Sequence, residues 1–152
     1  MKIYNCYFSE IPKEYIAFLE QCKWSAAKFF ADIIKEKTYE KHLGEKPTAF
    51  FLLDGENIVS FCTLSQKDVI DDEKLSPWIG FVYTSQQYRG NSYSKIVIDQ
   101  ALKIAKSKNC ERVYLATDHI GLYEKFGFEY LENRIDVWNE NSRIYYFDLI
   151  KF

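Results

Sequence analysis

The spacing of apolar residues predicts a strand followed by two helices in the N-terminal third of the chain. Apolar and polar residues alternate over Lys2–Phe8, as in a half-buried strand. Apolar residues then recur three and four apart, first after Pro12, which suits a first helical turn, and again after Ser25, a predicted N-cap. The two apolar stripes are Tyr15, Phe18, Leu19 and Cys22, and then Ala26, Phe29, Phe30, Ile33 and Ile34.

The middle of the chain predicts a hairpin, a further strand and a long helix. Thr48–Leu53 and Ile58–Ser65 are strand-like runs on either side of the turn sequence Asp54–Asn57. Pro77–Tyr83 is a third strand-like run. A helical period then extends from about Ser92 to Lys108, and Asn109 is expected to end that helix in a left-handed conformation.

The C-terminal third predicts a strand, a short helix and a second hairpin. The strand is Val113–Thr117, the helix is Gly121–Phe126 closed by Gly127, and the hairpin joins Phe128–Val137 to Arg143–Ile150. No repeat or linker divides residues 1–152, so a single domain is expected. The predicted fold class is α+β, a mixed and mostly antiparallel central sheet flanked by helices, with one β-α-β crossover.

Composition narrows the functional classes. Of the 152 residues 47% are apolar and 18% aromatic, so the chain can fill a core and is not intrinsically disordered. A net charge of −2 without a Lys/Arg cluster excludes a nucleic-acid footprint. No apolar run suits a membrane span or a signal peptide, so we expect no membrane partner and a cytoplasmic location. The four cysteines are too far apart in sequence for a metal or redox motif.

The loop before the long helix carries the first chemical signal. Arg89–Ser94 joins the strand ending at Tyr83 directly to a helix, so backbone N–H groups of the helix N-terminus point at whatever lies above them. Those donors, the helix dipole and the Arg89 charge suit an anion, pyrophosphate in particular. A well-capped strand–helix turn without a ligand explains the same residues equally well at this point.

Two blocks of sequence resemble the GNAT superfamily of N-acetyltransferases. Arg89, Ser92 and Ser94 stand at the positions of the family's pyrophosphate loop, Arg/Gln-x-x-Gly-x-Gly/Ala, so both motif glycines are serines here. The second block, Gly121–Phe128, resembles the family's Leu-Tyr-Glu-Lys-Gly-Phe helix. The blocks have the family's order, and the element order matches the family fold along nearly the whole chain.

The resemblance implies acetyl-CoA as co-substrate, bound between the fourth and fifth strands, and no metal. The backbone of Phe81, Val82 and Tyr83 would hold the pantetheine arm, with the Val82 amide polarising the thioester carbonyl. The residues that would cradle the pyrophosphate are Arg89, Gly90, Asn91, Ser92, Tyr93 and Ser94. A primary amine would attack directly, and Tyr123 would protonate the departing thiolate.

The general base and the acceptor contacts stay open. Carboxylates precede the cofactor strand at Asp68, Asp71, Asp72 and Glu73, where they either border the acceptor entrance or form a solvated loop. Trp24 lines the acceptor pocket or belongs to the core. Asp118 suits a helix cap better than a base, and His119 is a proton relay or an ordinary packed or exposed histidine.

The leading hypothesis is therefore an acetyl-CoA-dependent N-acetyltransferase acting on an amine of a small molecule or a peptide. The alternative is a catalytically inactive acyl-CoA-binding regulatory module on the same fold, which the two serines motivate. A homodimer formed through Ile144–Phe147 is a further possibility.

Overall fold

The computed structural model describes residues Met1–Phe152, which form seven strands and four α-helices. The strands are β1 (Lys2–Tyr7), β2 (Thr48–Asp54), β3 (Asn57–Ser65), β4 (Trp78–Thr84), β5 (Arg112–Thr117), β6 (Glu129–Ile135) and β7 (Asn141–Asp148). The α-helices are α1 (Lys13–Gln21), α2 (Ser25–Lys35), α3 (Tyr39–Leu43) and α4 (Tyr93–Ser107).

All seven strands form one sheet in the order β1-β2-β3-β4-β5-β7-β6. Every neighbouring pair is antiparallel except β4 and β5, which are parallel and connected through α4. The predicted α+β class, with a mostly antiparallel mixed sheet and one β-α-β crossover, is confirmed.

Each face of the sheet is covered by different helices. The helix α4 lies on one face, where Val97, Ile98, Ala101 and Leu102 are fully buried against the sheet. The helices α1 and α2 lie on the other face, where Phe30 packs against Phe61 of β3 and Phe81 of β4. Burying one such side chain contributes roughly 1.5–3 kcal/mol, so these two layers hold the sheet between them.

Local differences from the predicted elements have simple causes. The helix α3 falls in a polar stretch and buries only Leu43, so one turn of helix left no apolar period to detect. The prediction that Ser25 caps α2 was wrong, because Ser25 is the first helical residue and Trp24 is the N-cap. The predicted helix 121–126 is a 3₁₀ helix over Tyr123–Phe126.

Left-handed residues end two of the helices, and the strand β7 is buried inside the sheet. Asn109 is left-handed (φ 63°), as predicted, and Gly127, which was predicted to close the short helix, is its C-cap with φ 94°. The strand β7 lies inside the sheet with both edges paired, and Ile144 and Tyr145 are fully buried in it. These two side chains therefore belong to the chain's own core, and a homodimer formed through Ile144–Phe147 stays a prediction. None of the helices has the length and apolar character needed to cross a membrane.

Candidate active site

The sheet opens between β4 and β5. Their parallel ladder pairs only Trp78 with Tyr114 and Ile79 with Leu115. Immediately afterwards β4 carries a bulge, since the register with β3 shifts by one residue between Gly80 and Tyr83 and Phe81 is left-handed with φ 49°. A bulge bends its strand. The remainder of β4 consequently has no ladder partner on the β5 side, and a gap separates the ends of the two strands.

A cleft of about 610 Å³ lies at this gap. It is bounded by the end of β4, the loop that follows it, the N-terminus of α4 and the segment after β5. Among the predicted site residues, the cleft is lined by Trp24, Val82, Tyr83, Arg89, Gly90, Ser92, Tyr93, Ser94 and Tyr123. The structure thus brings the two sequence blocks, which are separated by a helix and a strand, to one cavity.

Three predicted site residues do not line the cleft. The Phe81 side chain packs against Phe30 of α2 with ring centroids 4.7 Å apart, so only its backbone lies at the gap. Asn91 is exposed, and its side-chain amide donates to the carbonyl of Tyr88 within the loop. Asp71 lies exposed in the loop between β3 and β4.

The loop before α4 presents unused backbone donors. Ser92 is the N-cap of α4 in a left-handed conformation (φ 56°, ψ 31°), and no side chain caps the first turn. Gly90 is also left-handed, with φ 90°. The Arg89 side chain is held by a 2.9 Å hydrogen bond from its Nε to the carbonyl of Thr84. Free N–H groups at the positive end of a 15-residue helix make a site for an anion.

Tyr123 lines the cleft, and its ring belongs to the core beneath α4. It is 5% exposed, and its ring meets those of Phe126 and Phe128 edge to face. Burial, with a smaller contribution from nearby Cys62, raises the pKa of the Tyr123 hydroxyl to about 12. The hydroxyl consequently keeps its proton throughout the neutral range and is available as a donor.

Aromatic stacking builds the wall on the side of α1 and α2. The Trp24 and Tyr83 rings stack with centroids 5.4 Å apart, and Tyr83 stacks on Phe61 beneath it. The Arg89 guanidinium lies 5.5 Å from the centre of the Tyr83 ring. This column of rings joins the Arg89–Ser94 loop to the segment between α1 and α2.

Five further residues line the cleft that were not among the predicted site residues: Thr84, Tyr88, Leu122, Lys125 and Phe126. The last three lie within the block Gly121–Phe128, so that motif could have indicated them, whereas Thr84 and Tyr88 carry no such signal. His119, for which two interpretations were left open, is exposed and lines the cleft. Asp118 does not cap the 3₁₀ helix, whose N-cap is Leu122, so that prediction was wrong.

A carboxyl group lies beside β4 just before its bulge. A Cβ on Gly80 would clash with Asp68 Oδ2 and come within 3.3 Å of Thr63 Oγ1, so the absence of a side chain at Gly80 makes room for both groups. The Val69 amide donates to Asp68 Oδ1 at 2.7 Å. Burial nevertheless raises the pKa of the Asp68 carboxyl from 3.8 to about 6.

The chain is thus a single α+β domain whose sheet splits at a bulged strand, beside the uncapped N-terminus of the helix α4. The chain belongs to the acetyltransferase (GNAT) family, whose model matches residues 4–128. The resemblance drawn from the two sequence blocks is thereby confirmed. A search of the curated proteins returned no match.

Solved structures share the fold over nearly the whole chain. An aminoglycoside 6'-acetyltransferase type Ii is 16% identical, with TM-score 0.72 over 98% of this chain and 97% of that one. An aminoglycoside 6'-N-acetyltransferase complexed with coenzyme A is 14% identical, with TM-score 0.72 over 98% and 97%. The aminoglycoside 6'-N-acetyltransferase from Enterococcus faecium is also 14% identical, with TM-score 0.69 over the same shares. At sequence identities this low, the similarity shows a shared fold and nothing about the substrate.

Replacing Ser92 by glycine is expected to stabilise the protein. A left-handed backbone costs an L-residue about 1–2 kcal/mol, and glycine avoids that cost. At this chain length each kcal/mol corresponds to roughly 2–4 °C, so thermal unfolding of Ser92→Gly should shift upward by several degrees. Ser94→Gly, inside the first turn of α4, is the matched control and should lower the melting temperature, because glycine destabilises a helix. Equal effects of the two variants would contradict this account.

The Asp68 carboxyl should make stability fall as the pH rises. Its pKa is raised in the folded state, so ionisation costs the folded chain more than the unfolded one, by at most about 3 kcal/mol once the pH is above 6. Asp68→Asn cannot ionise. The melting temperature of the variant relative to wild type should therefore rise between pH 4 and pH 7.5, and a pH-independent difference would refute the shifted pKa.

Proposed function

We propose that this protein transfers the acetyl group of acetyl-CoA to a primary amine. One observation carries the proposal: a single cleft contains the gap between β4 and β5, the uncapped N-terminus of α4 and the proton-bearing hydroxyl of Tyr123. A phosphate-bearing thioester needs all three: the gap for its extended arm, the N-terminus of α4 for its pyrophosphate and the hydroxyl for its leaving sulfur. The acceptor is a small molecule or a peptide with a free amine.

The donor is held by backbone rather than by side chains. The pyrophosphate lies on the N–H groups of Arg89–Ser94, with the positive end of α4 behind them. The pantetheine arm extends along the unpaired edge of β4 and hydrogen-bonds the main chain of Phe81, Val82 and Tyr83, as a strand partner would. An aminoglycoside 6'-N-acetyltransferase of the same fold has been crystallised with coenzyme A, which supports a CoA thioester as donor.

The reaction is a direct attack within a ternary complex. The amine nitrogen forms a bond to the thioester carbon, and the negative charge that develops on the carbonyl oxygen is stabilised by the Val82 amide. The tetrahedral intermediate then breaks its C–S bond. Tyr123 gives its proton to the departing thiolate, so that CoA leaves as the thiol. Trp24 and Tyr83 border the acceptor on the side of α1 and α2.

A second candidate function is a regulatory module that binds acyl-CoA without turnover. The observation that favours it is the left-handed serine at position 92, where the family motif has glycine. Such a module would have no use for a buried, proton-bearing Tyr123 in the cleft. Binding and turnover measurements on one variant separate the two functions.

Replacing Tyr123 by phenylalanine is expected to lower kcat about a hundredfold. General acids contribute roughly 10²–10⁴-fold, and a pKa near 12 lies far enough above neutrality to place Tyr123 at the lower end. The acetyl-CoA dissociation constant should stay within about twofold, because the hydroxyl acts on the leaving sulfur. The measurement is CoA-thiol release with a panel of a diamine, an aminoglycoside and a peptide. Tyr39→Phe, which removes a hydroxyl from α3 on the other face, is the matched control.

Donor binding is tested separately by thermal shift. Acetyl-CoA at about 100 times its dissociation constant should stabilise the wild type by roughly 2.7 kcal/mol, or several degrees. A shift without turnover of any amine would identify the regulatory module. Neither shift nor turnover would contradict both functions, and wild-type turnover by Tyr123→Phe would refute the role of Tyr123.

A further inference from the structure

Two polar side chains, those of Thr63 and Asp68, lie beside the bulge in β4 on the face of the sheet opposite to Tyr123. Cys62 and Leu64 of β3 point into the core beneath α4, which also contains Tyr123. Side chains alternate along a strand, so Thr63 between them faces the side of α1 and α2. Thr63 pairs with Gly80, and Asp68 lies against that glycine. Asp68 and Tyr123 are therefore on opposite sides of the sheet, with the gap beside β4 between them.

The free oxygen of Asp68 lacks a hydrogen-bond donor. The Val69 amide occupies Oδ1, whereas Oδ2 lies over Gly80. The neighbouring hydroxyl of Thr63 is completely buried and has no hydrogen-bond partner. A buried polar atom without a partner costs about 1–3 kcal/mol, so its presence beside a free carboxylate oxygen points to a ligand that donates hydrogen bonds to both.

The spacing along β4 matches the size of an attacking amine. Gly80 precedes Val82 by two residues, which is at most roughly 7 Å at about 3.3 Å per residue and less here, because the left-handed Phe81 lies between them. A nitrogen poised for attack lies about 3 Å from the thioester carbon and within roughly 3 Å of its base, or one water further. With the carbonyl on the Val82 amide, the amine falls between that amide and Asp68.

We propose that Asp68 Oδ2 is the proton acceptor for the amine substrate, which enters from the face covered by α1 and α2. This inference rests on the proposed acetyltransferase activity. The substrate class it specifies is an amine that arrives as an ammonium ion, because the ion donates to Oδ2 and to Thr63 Oγ1.

Protons and charge balance over the cycle. Asp68 takes one proton from R–NH₃⁺, and the freed lone pair forms the N–C bond. The nitrogen loses its second proton to solvent as the C–S bond breaks, and this proton offsets the one that Tyr123 gives to sulfur. Asp68 releases its proton to solvent at the end. The net change is ammonium plus thioester to amide, CoA thiol and one H⁺.

The electrostatics of the position suit a base near neutral pH. Burial raises the pKa of Asp68 to about 6, and the hydrogen bond from Val69 opposes that effect. The groups next to the Asp68 carboxyl are Thr63 of β3, Gly80 of β4 and Val69 of its own loop, and all three are uncharged. The other carboxylates of the loop differ, since Asp71 and Glu73 are exposed and Asp72 is bound by Arg134 at 2.7 Å.

The test is steady-state kinetics of Asp68→Asn with the best amine of the panel. We expect kcat/KM at pH 7 to fall about 10²–10⁴-fold, with an unchanged dissociation constant for acetyl-CoA. The acidic limb of the wild-type pH profile, expected near pH 6, should disappear. 2,2,2-Trifluoroethylamine is largely unprotonated at pH 7 and needs no base to free its lone pair. With this amine, kcat/KM of the variant should come within about tenfold of the wild-type value.

Two further variants keep the result interpretable. Gly80→Ala places a Cβ where Asp68 Oδ2 lies, so it should lower kcat while keeping the charge. Glu56→Gln removes an exposed carboxylate from the β2–β3 turn and should have no effect. Circular dichroism and thermal unfolding confirm that each variant is folded.

The outcomes distinguish a wrong assignment of Asp68 from a wrong assignment of the acetyltransferase activity. A wild-type rate and an unchanged acidic limb in Asp68→Asn overturn the assignment while the activity stands. Loss of that limb in His119→Gln instead assigns the base to His119, which lines the cleft, and likewise overturns it. A wild type that binds acetyl-CoA but acetylates no amine refutes the proposed function, and the role of Asp68 with it.

Discussion

The bulge at Phe81 is the feature on which the site depends. Parallel strands separate only if something prevents their ladder from continuing, and the left-handed Phe81 does so two residues after Ile79, the last residue paired with β5. That conformation costs about 1–2 kcal/mol. The ring of Phe81, packed against Phe30 of α2, is well placed to offset the cost. The core beneath α2 thus holds the sheet open, and both the unpaired edge of β4 and the cleft follow from it.

A sheet with one opening also keeps the two proposed proton-transfer groups apart. Tyr123 is buried on the side of α4, and Asp68 lies on the side of α1 and α2. In an intact sheet the two groups could not serve one reaction, since the backbone layer would separate them. The gap beside β4 makes it possible for a thioester to have its sulfur near one face and its carbonyl carbon accessible from the other. In the proposed reaction the acid Tyr123 and the base Asp68 would then not compete for the same proton.

The sequence predicted those parts of the structure that repeat with a period or belong to a motif. The helix α4 and the strands were visible from apolar spacing, and the two short blocks singled out Tyr123 and the Arg89–Ser94 loop, which lie along one cleft. The acidic loop shows the limit, because its four carboxylates look alike in sequence. Only the folded loop distinguishes Asp68, held against Gly80, from Asp71 in solvent. Similarly, α3 is a single turn, and nothing in the residues around Phe81 predicts its positive φ.

The serine at position 92 shows why a departure from a motif need not change a fold. The motif glycine answers a demand of the backbone, a left-handed residue directly before the helix, and Ser92 adopts that conformation with φ 56°. The groups of the loop that are proposed to bind the pyrophosphate are its backbone N–H groups, which any residue except proline supplies. Replacing glycine by serine therefore adds conformational cost without removing a donor. What the motif preserves is the shape of the main chain, and this chain keeps that shape.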